Sequence, residues 1–249
     1  MGWGQRILGV LATLALAAGP TAADQIKVAV AANFVAAAEE LARAFEQETG
    51  DAVVLSSGAT GALYTQISQG APFEVFLAAD NDRPQRAVDE GFGVKGTVFT
   101  YARGALVLYS PSLDLSSGIE LLQSAGFEHL AIADPQTAPY GAAAEHTLRV
   151  LGIYNALAPR LVIGESIAQA LLFVESGNAE LGFVALSQVI GLPGERYWLV
   201  PPGLYRPIEQ QAVLLKPGER NIAASSFLAF LKGEGAQAII RNHGYATGE

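Results

Sequence analysis

Residues 26–50 read IKVAVAANFVAAAEELARAFEQETG and contain a strand, a turn and a helix in succession. The opening run, IKVAVAA, is short and apolar, as in a buried strand. After it, Phe34, Leu41 and Phe45 fall on one helical face. Gly50 then ends the pattern. We therefore predict a strand that leads directly into an amphipathic helix.

The same pattern of strand, turn and helix recurs along the chain. Further predicted units cover residues 52–70, 73–90, 129–152 and 161–177, with an added strand at 181–184 and closing helices at 221–232 and 236–242. Strands that alternate with helices indicate a parallel sheet with helices on its faces. A long β-rich stretch at 97–110 and an extended return near 205–211 are predicted to cross between two lobes.

The predicted fold class is therefore α/β, with two lobes of mainly parallel sheets flanked by helices and joined by two crossover strands. The first lobe is predicted to comprise residues 24–101 plus 207–249, and the second lobe residues 102–206. Open parallel sheets bind ligands beyond the carboxyl ends of their strands. Functional residues are therefore expected in the cleft between the lobes.

Composition restricts what the chain can bind. Its 249 residues include 24 acidic and 15 basic residues, which gives a formal net charge of −9, and no cysteine. Nucleic acid is a poor partner, because proteins that bind phosphate backbones concentrate Lys and Arg on one face. The lack of cysteine excludes disulfides, thiolate nucleophiles and thiolate-bound metals.

The first 23 residues have the pattern of a secretory signal. Residues 1–6 carry one basic and no acidic residue. Residues 7–19 form an apolar run that is shorter than the roughly 20 residues needed to span a bilayer. Small residues then precede Asp24. We predict a signal peptide over residues 1–23, cleaved after Ala23, and an exported product; an N-terminal membrane anchor is the alternative.

Four of the predicted turns lead into helix starts, at Asn33, Thr60, Tyr140 and Ile167. A helix start offers unpaired backbone N–H groups and the positive end of the helix dipole, so it can bind an anion without a formal charge. Taken singly, Asn33 and Ser166 are ordinary helix caps, residues 56–61 a flexible turn and Tyr140 a packing residue. The repetition of small, polar turns without Lys or Arg favours an anion site.

Enzymatic interpretations have less support. The sequence contains no G-x-S-x-G, H-E-x-x-H or P-loop motif, and its histidines, His129, His146 and His243, are far apart. Asp80 and Asp82 lack the further ligands of a calcium loop and are predicted to cap a helix. No catalytic residue, direct metal ligand or cofactor is predicted. A hydrolase that uses a serine or aspartate of the cleft stays an alternative.

Five stretches carry a family resemblance: IKVAVAANF, SSGATGALYTQISQGAPFEVFLAAD, ADPQTAPYG, ESIAQALLFVESGNAELGFVALSQV and YRPIEQQAVLL, at residues 26–34, 56–80, 133–141, 165–189 and 205–215. With them the chain resembles the periplasmic molybdate-binding proteins of ABC importers, which have the type II periplasmic-binding-protein fold. The combination of GAPxxVFLAAD with ADPxxxPxG is specific for that family.

The resemblance implies a ligand, a partner and a location. The ligand is a small tetrahedral oxyanion, molybdate or tungstate, that binds between the lobes and passes to an ABC transporter permease in the inner membrane. Asn33 matches the family's Ser or Asn after the first strand, and Thr60 matches its Ser or Thr in the second turn. Tyr140 and Ile167 match two positions that donate backbone N–H groups. The resemblance also implies a monomer in the periplasm.

One position departs from the family pattern. Ala185 stands where many members carry a Tyr, and we hypothesise that the Tyr140 hydroxyl replaces that phenol. None of the four predicted site residues is a carboxylate, so a fully ionised dianion suits the site better than monohydrogen phosphate, which needs an acceptor. Sulfate, phosphate and a small organic anion stay alternatives, because the sequence does not determine the size of the cavity.

Overall fold

The computed structural model describes Met1 and residues 24–248, so the predicted signal peptide beyond Met1 lies outside the described residues. The strands of this range are β1 (Gln25–Ala31), β2 (Ala52–Gly58), β3 (Val75–Leu77), β4 (Phe99–Gly104), β5 (Leu106–Tyr109), β6 (Leu130–Ala133), β7 (Leu161–Gly164), β8 (Leu181–Ala185), β9 (Tyr197–Leu199) and β10 (Ile208–Leu214). The α-helices are α1 (Val35–Thr49), α2 (Thr60–Ser68), α3 (Asp82–Asp89), α4 (Gly118–Ser124), α5 (Pro139–Val150), α6 (Tyr154–Leu157), α7 (Ile167–Glu175), α8 (Leu186–Val189), α9 (Ile222–Phe230) and α10 (Glu234–Asn242). None of these helices is both long enough and apolar enough to cross a membrane.

The strands form two five-stranded sheets. The first has the order β2-β1-β3-β10-β4, in which β1 pairs parallel with β2 and β3 while β10 pairs antiparallel with β3 and β4. The second has the order β7-β6-β8-β5-β9, in which β6 pairs parallel with β7 and β8 while β5 pairs antiparallel with β8 and β9. Each sheet is therefore mixed. In both sheets, every antiparallel pair includes a strand by which the chain enters or leaves that lobe.

The chain crosses between the sheets twice, and the predicted two-lobed α/β fold is confirmed. The β-rich stretch at 97–110 divides into β4, in the first sheet, and β5, in the second, with only Ala105 between them. The return runs from the end of β9 at Leu199 to the start of β10 at Ile208. The exact division of residues between the lobes stays a prediction.

The unit at residues 26–50 folds as its sequence predicts. Phe34, Leu41 and Phe45 are each no more than 1 % exposed and pack in one core cluster with the strands of the first sheet. Burial of a large apolar side chain contributes about 1.5–3 kcal/mol, so this stripe holds α1 onto the sheet. Gly50 ends the helix at φ 83°, a left-handed conformation that glycine adopts without strain.

The predicted turn at residues 56–61 was wrong at its start. β2 continues through Ser56 and Ser57 to Gly58, because its parallel pairing with β1 extends to the pair Ala31 and Gly58. Ala59 alone separates this strand from α2. Thr60, the first residue of α2, is therefore held at the edge of the sheet rather than in a flexible loop.

One of the two predicted aspartate caps of α3 contacts the start of that helix. The Oδ1 atom of Asp80 accepts a hydrogen bond of 3.0 Å from the backbone N–H of Arg83. Asp82 was predicted wrongly, because it is the first residue of α3 and Asn81 occupies the cap position. The Asp80 carboxylate also pairs with the Arg83 guanidinium, so its charge is compensated within the protein.

Candidate anion-binding site between the lobes

The four predicted site residues all lie at the beginning of helical segments. Thr60 is the first residue of α2, Ile167 is the first residue of α7, and Tyr140 is the second residue of α5. Asn33 lies in a 3₁₀ turn, Ala32–Phe34, that leads into α1. All four are buried, with at most 5 % of their surface exposed. A ligand held there would be almost fully withdrawn from water.

The structure brings the four residues together from both lobes. Asn33 and Thr60 follow strands of the first sheet, whereas Tyr140 and Ile167 follow strands of the second. The neighbouring Ala31 and Ala59 of the first lobe share one buried cluster with Tyr140 and Ile167. Helix α7 also packs against the turn that holds Asn33. These four segments therefore lie close together where the lobes meet, and each begins with unpaired backbone N–H groups and the positive end of a helix dipole.

The Thr60 hydroxyl is able to donate a hydrogen bond to a ligand. Its Oγ1 atom accepts a hydrogen bond of 3.1 Å from the backbone N–H of Ala79, two residues after the end of β3. A hydroxyl that accepts one bond still donates its own hydrogen. The backbone of Gly61, the next residue, donates at 2.8 Å to the carbonyl of Thr137 in the other lobe. Thr60 is thus fixed by contacts on both sides of the cleft.

Asn33 is held by two buried side chains. Its Nδ2 atom donates to Oε1 of Gln210 at 2.9 Å and to the Tyr245 hydroxyl at 3.1 Å. Its carbonyl oxygen accepts from the hydroxyls of Tyr245, at 2.6 Å, and Ser187, at 3.0 Å. Both amide hydrogens are therefore engaged within the protein. What Asn33 can offer an anion is its backbone N–H at the start of the turn.

Tyr140 lies with its phenol against the crossing strand β4. A Cβ atom at Gly104 would stand 1.9 Å from the Tyr140 hydroxyl oxygen, so only glycine leaves room for the ring there. That oxygen accepts a hydrogen bond of 3.4 Å from Nε2 of Gln210. Burial raises the pKa of the Tyr140 phenol well above its usual range, so it stays protonated and able to donate.

Ile167 contributes through its backbone, because its side chain is apolar. The preceding residue, Ser166, caps α7 by accepting a hydrogen bond of 3.3 Å from the N–H of Gln169. The Gln169 side chain accepts from the backbone N–H of Glu165 at 2.6 Å instead of from Ser166, so a capping box between Ser166 and Gln169 is only half formed. The first N–H groups of α7, including that of Ile167, have no acceptor within the helix.

Formal charge near the site is balanced. An ion pair at the start of α3 joins Asp80 and Arg83, and Nη2 of Arg83 also donates at 3.0 Å to the carbonyl of Gln136 across the cleft. Burial raises the pKa of the Asp80 carboxyl, and the Arg83 charge opposes that rise. A cavity of about 310 Å³ lies beside this pair and is lined by both lobes, with Ala79 on one side and Pro139 on the other.

The chain is similar in sequence and structure to known binding proteins. The family model of bacterial extracellular solute-binding proteins matches residues 26–246. The molybdate-binding protein ModA of Rhodobacter capsulatus is 50 % identical over 244 residues, which cover 98 % of this chain and 96 % of that protein. The chain belongs to the ModA family of molybdate-binding proteins. The predicted family resemblance is thereby confirmed.

Two further comparisons support the same family. ModA of Azotobacter vinelandii is 50 % identical over 242 residues, which cover 95 % of this chain and 93 % of that protein. The solved structure of the Azotobacter vinelandii periplasmic molybdate-binding protein superposes with a TM-score of 0.86 at 41 % identity, and covers 90 % of this chain and all of that one. ModA proteins are binding components of transport systems, so the prediction that this chain is not an enzyme is confirmed.

Among the described residues, each of the three histidines contacts different groups. His146 contacts the carbonyl of Leu204 through Nδ1, at 3.2 Å, and His243 contacts Oε2 of Glu40 through Nε2, at 2.8 Å. His129 lies with Glu128 and the half-buried Glu180, and one potential metal-ligand atom of each residue is within 4.8 Å of the others. The three histidines are thus engaged in separate places.

Sequence reasoning missed the polar side chains behind the site. Gln210, Tyr101 and Tyr245 form a hydrogen-bonded network with Asn33, and Gln210 is fully buried. The available signal was a polar residue in the apolar strand pattern IEQQAVLL. That signal was insufficient because Gln210 and Gln211 are adjacent, and only the register of β10 decides which of them points inward.

Proposed function

We propose that this chain binds molybdate or tungstate between its two lobes, through Asn33, Thr60, Tyr140 and Ile167. One observation carries the proposal: four buried helix starts, two from each lobe, converge on one place. Two ModA proteins at 50 % identity are named for the binding of molybdate, which supports this choice of anion.

The proposed site binds a dianion with donors and no cation. None of its four residues is Lys or Arg, so attraction comes from backbone N–H groups, the Thr60 and Tyr140 hydroxyls and the helix dipoles. A fully ionised tetrahedral oxyanion is an acceptor on every oxygen and matches such a lining. Monohydrogen phosphate brings a hydroxyl that needs an acceptor, and is disfavoured. Sulfate differs from molybdate in size and not in hydrogen-bonding character.

The biological role that follows is capture and delivery. The lobes, residues 24–101 plus 207–249 and residues 102–206, close on the anion by motion at the two crossings. The closed monomer then delivers it to the permease of an ABC importer in the inner membrane. This places the chain in the periplasm after removal of residues 1–23, and N-terminal sequencing of the exported protein is expected to begin at Asp24.

Thermal unfolding in the presence of molybdate, tungstate, sulfate or phosphate tests the choice of ligand. A ligand at 100 times its dissociation constant adds about 2.7 kcal/mol to the free energy of unfolding. At roughly 2–4 °C per kcal/mol for a chain of this size, the midpoint is expected to rise by about 5–11 °C with molybdate and tungstate. A rise of the midpoint with sulfate or phosphate instead would mean that the proposed site binds that anion rather than molybdate. No rise with any anion would contradict the proposal and reopen the organic-anion alternative.

A matched pair of substitutions tests the site itself. Thr60→Val removes the hydroxyl at almost constant volume and is expected to weaken molybdate binding, measured by calorimetry. Thr147→Val is the control, because Thr147 is equally buried but donates at 2.9 Å to Ala143 within α5. If both variants bind molybdate as the unmodified chain does, Thr60 is not part of the site.

A further inference from the structure

A fully buried amide lies behind the proposed anion site. Gln210 is on β10, where the pairing with β4 shifts register between Gln210 and Gln211. Such irregularities redirect a side chain. Here Gln210 contacts both a residue of the first lobe, Asn33, and a residue of the second, Tyr140. It is thus the one side chain that hydrogen bonds to two of the four proposed site residues among those described.

The directions of the hydrogen bonds that link Asn33, Gln210 and Tyr140 follow from a backbone carbonyl. The Tyr245 hydroxyl lies 2.6 Å from the carbonyl oxygen of Asn33 and 2.9 Å from Oγ of Ser187, and it has one hydrogen to give them. That hydrogen points away from the Asn33 side chain. Tyr245 can therefore only accept from that side chain, and the atom facing it must be Nδ2 rather than Oδ1.

The same reasoning sets the orientation of Gln210. The second hydrogen on Nδ2 of Asn33 points to Gln210, which must therefore present Oε1. The hydroxyl of Tyr101 also lies 3.1 Å from Oε1. With its oxygen committed to this side, Gln210 presents Nε2 to the Tyr140 hydroxyl, at 3.4 Å. The Tyr140 oxygen accepts from Gln210, and its own hydrogen is directed elsewhere.

We propose that Gln210 is a positioning residue that makes Tyr140 a donor to the bound anion. Its amide occupies a lone pair of the phenol oxygen, so the hydroxyl hydrogen is left for the ligand. The inference rests on the proposed anion site and extends it, because Gln210 acts through Tyr140 without contacting the anion. It also assigns a role to Gly104, since a Cβ there would stand 2.9 Å from Nε2 of Gln210 as well as against the phenol.

A double-mutant cycle on molybdate affinity tests the proposal. Gln210→Met removes the amide at similar length and is expected to weaken binding by about tenfold, the effect of one hydrogen bond to a charged group. In the Tyr140→Phe background, which has no hydroxyl to orient, the loss is expected to be smaller by a factor of about three or more. Any smaller difference means that Gln210 only supports the fold, and overturns the proposal.

Gln211→Met is the matched control. Gln211 is the next residue on the same strand, and its Nε2 donates at 3.2 Å to Thr100 outside the network. Its substitution is expected to leave the affinity unchanged. An equal loss in the two Met variants overturns the proposal for Gln210 while leaving the proposed function standing. Absence of any molybdate binding by the unmodified protein overturns both.

Gln210→Glu provides the same cycle if the Met variant does not fold. The carboxylate keeps the side-chain length and accepts from Asn33, Tyr101 and Tyr140 alike. Because it draws the phenol hydrogen toward itself, the Tyr140 oxygen then faces the anion with a lone pair. At pH 8 the expected loss of molybdate affinity exceeds tenfold, and it is again smaller by about threefold or more in the Tyr140→Phe background. Equal losses in the two backgrounds overturn the proposal.

Discussion

At the scale of single residues, the proposed site depends on where a few hydroxyl hydrogens point. Tyr140 is fully buried, and its ring occupies space that any residue other than glycine at position 104 would fill. Ala185, at the end of β8, has no side-chain donor and offers its backbone N–H to Oε1 of Gln188 at 2.9 Å. We therefore expect the phenol of Tyr140 to supply the donor that position 185 lacks.

Tyr140→Phe is expected to weaken molybdate binding by about 1–3 kcal/mol, because one hydrogen bond to a charged ligand is lost while the packing of the ring is kept. Calorimetric titration measures this difference. Tyr109→Phe is a suitable control, since Tyr109 is a nearly buried tyrosine on β5 of the same lobe. Equal affinities of Tyr140→Phe and the unmodified chain would show that the hydroxyl does not contact the anion.

Three buried tyrosines that lie close to Gln210 are expected to make the folded protein less stable at alkaline pH. Burial raises the pKa of Tyr101, Tyr140 and Tyr245 above the ordinary value of 10.0. Above about pH 10 the unfolded chain releases these protons while the folded chain keeps them, so the free energy of unfolding falls as pH rises. Urea denaturation at pH 9 and pH 11 measures the fall, and Tyr101→Phe is expected to reduce it.

Tyrosinate absorbance gives an independent check of the same prediction. The chain has 8 tyrosines, and those three are expected to stay protonated at pH 11 in the folded protein while exposed ones titrate. Titration of all tyrosines together near pH 10 without unfolding would contradict the assigned burial of the network.

At the scale of elements, the proposed site consists of helix N-termini. α2, α5 and α7 each begin within a residue of a proposed ligand contact, and each follows a strand of a parallel pair. A well-formed first turn is needed to hold the N–H groups in place. Caps near the site should therefore influence binding, whereas caps elsewhere should influence stability alone.

Ser166→Ala and Asn221→Ala separate these two effects. Ser166 caps α7 beside the site, while Asn221 caps α9 by accepting from Ala223 at 2.9 Å, away from it. Each substitution is expected to cost about 1 kcal/mol of stability in urea denaturation, and Asn221→Ala more because its amide also bonds to Glu74 at 2.8 Å. Only Ser166→Ala is expected to weaken molybdate binding. A comparable affinity loss in both would show that α7 has no special role.

At the scale of the whole molecule, close contacts between the lobes define the closed state. The backbone of Gly61 donates to the carbonyl of Thr137, and the Ser187 hydroxyl donates to that of Asn33. A Cβ atom at Gly61 would lie 3.0 Å from Cα of Thr137 and 2.9 Å from Nη2 of Arg83. The lobes therefore approach each other at Gly61 as closely as a glycine permits.

Gly61→Ala is expected to hinder closure without harming the fold. Alanine is favoured over glycine inside α2 by roughly 0.5–1 kcal/mol, so the stability of the ligand-free protein should not fall. The crowded contact with Thr137 should lower molybdate affinity by about 1 kcal/mol or more. Calorimetry gives the affinity, and small-angle scattering with and without molybdate gives the extent of closure.

Gly58→Ala is the control for that substitution. A Cβ at Gly58 would make ordinary contacts of 3.5 Å with Leu63, within the first lobe. Its affinity and closure should match those of the unmodified chain. If Gly61→Ala closes and binds as well as Gly58→Ala, the contact with Thr137 does not limit closure.

The sequence by itself determined the repeated alternation of strand and helix, the two lobes and the four helix starts, because these follow from local patterns. The short helices α4, α6 and α8 were not predicted. Apolar spacing, as at Phe34, Leu41 and Phe45, distinguishes helix from strand within one segment, and glycines such as Gly50 mark where helices end. Thr60 and Ile167 could be located in this way, since each is the first residue of its helix.

Only the tertiary structure decided which residues support these helix starts. β2 extends to Gly58 because β1 lies beside it, and Gln210 rather than Gln211 is buried because of a register shift against β4. Asn33, Tyr140 and Gln210 are separated by up to 177 residues along the chain. Their hydrogen bonds depend on strand register and on the closeness of the two lobes, which no local pattern of sequence encodes.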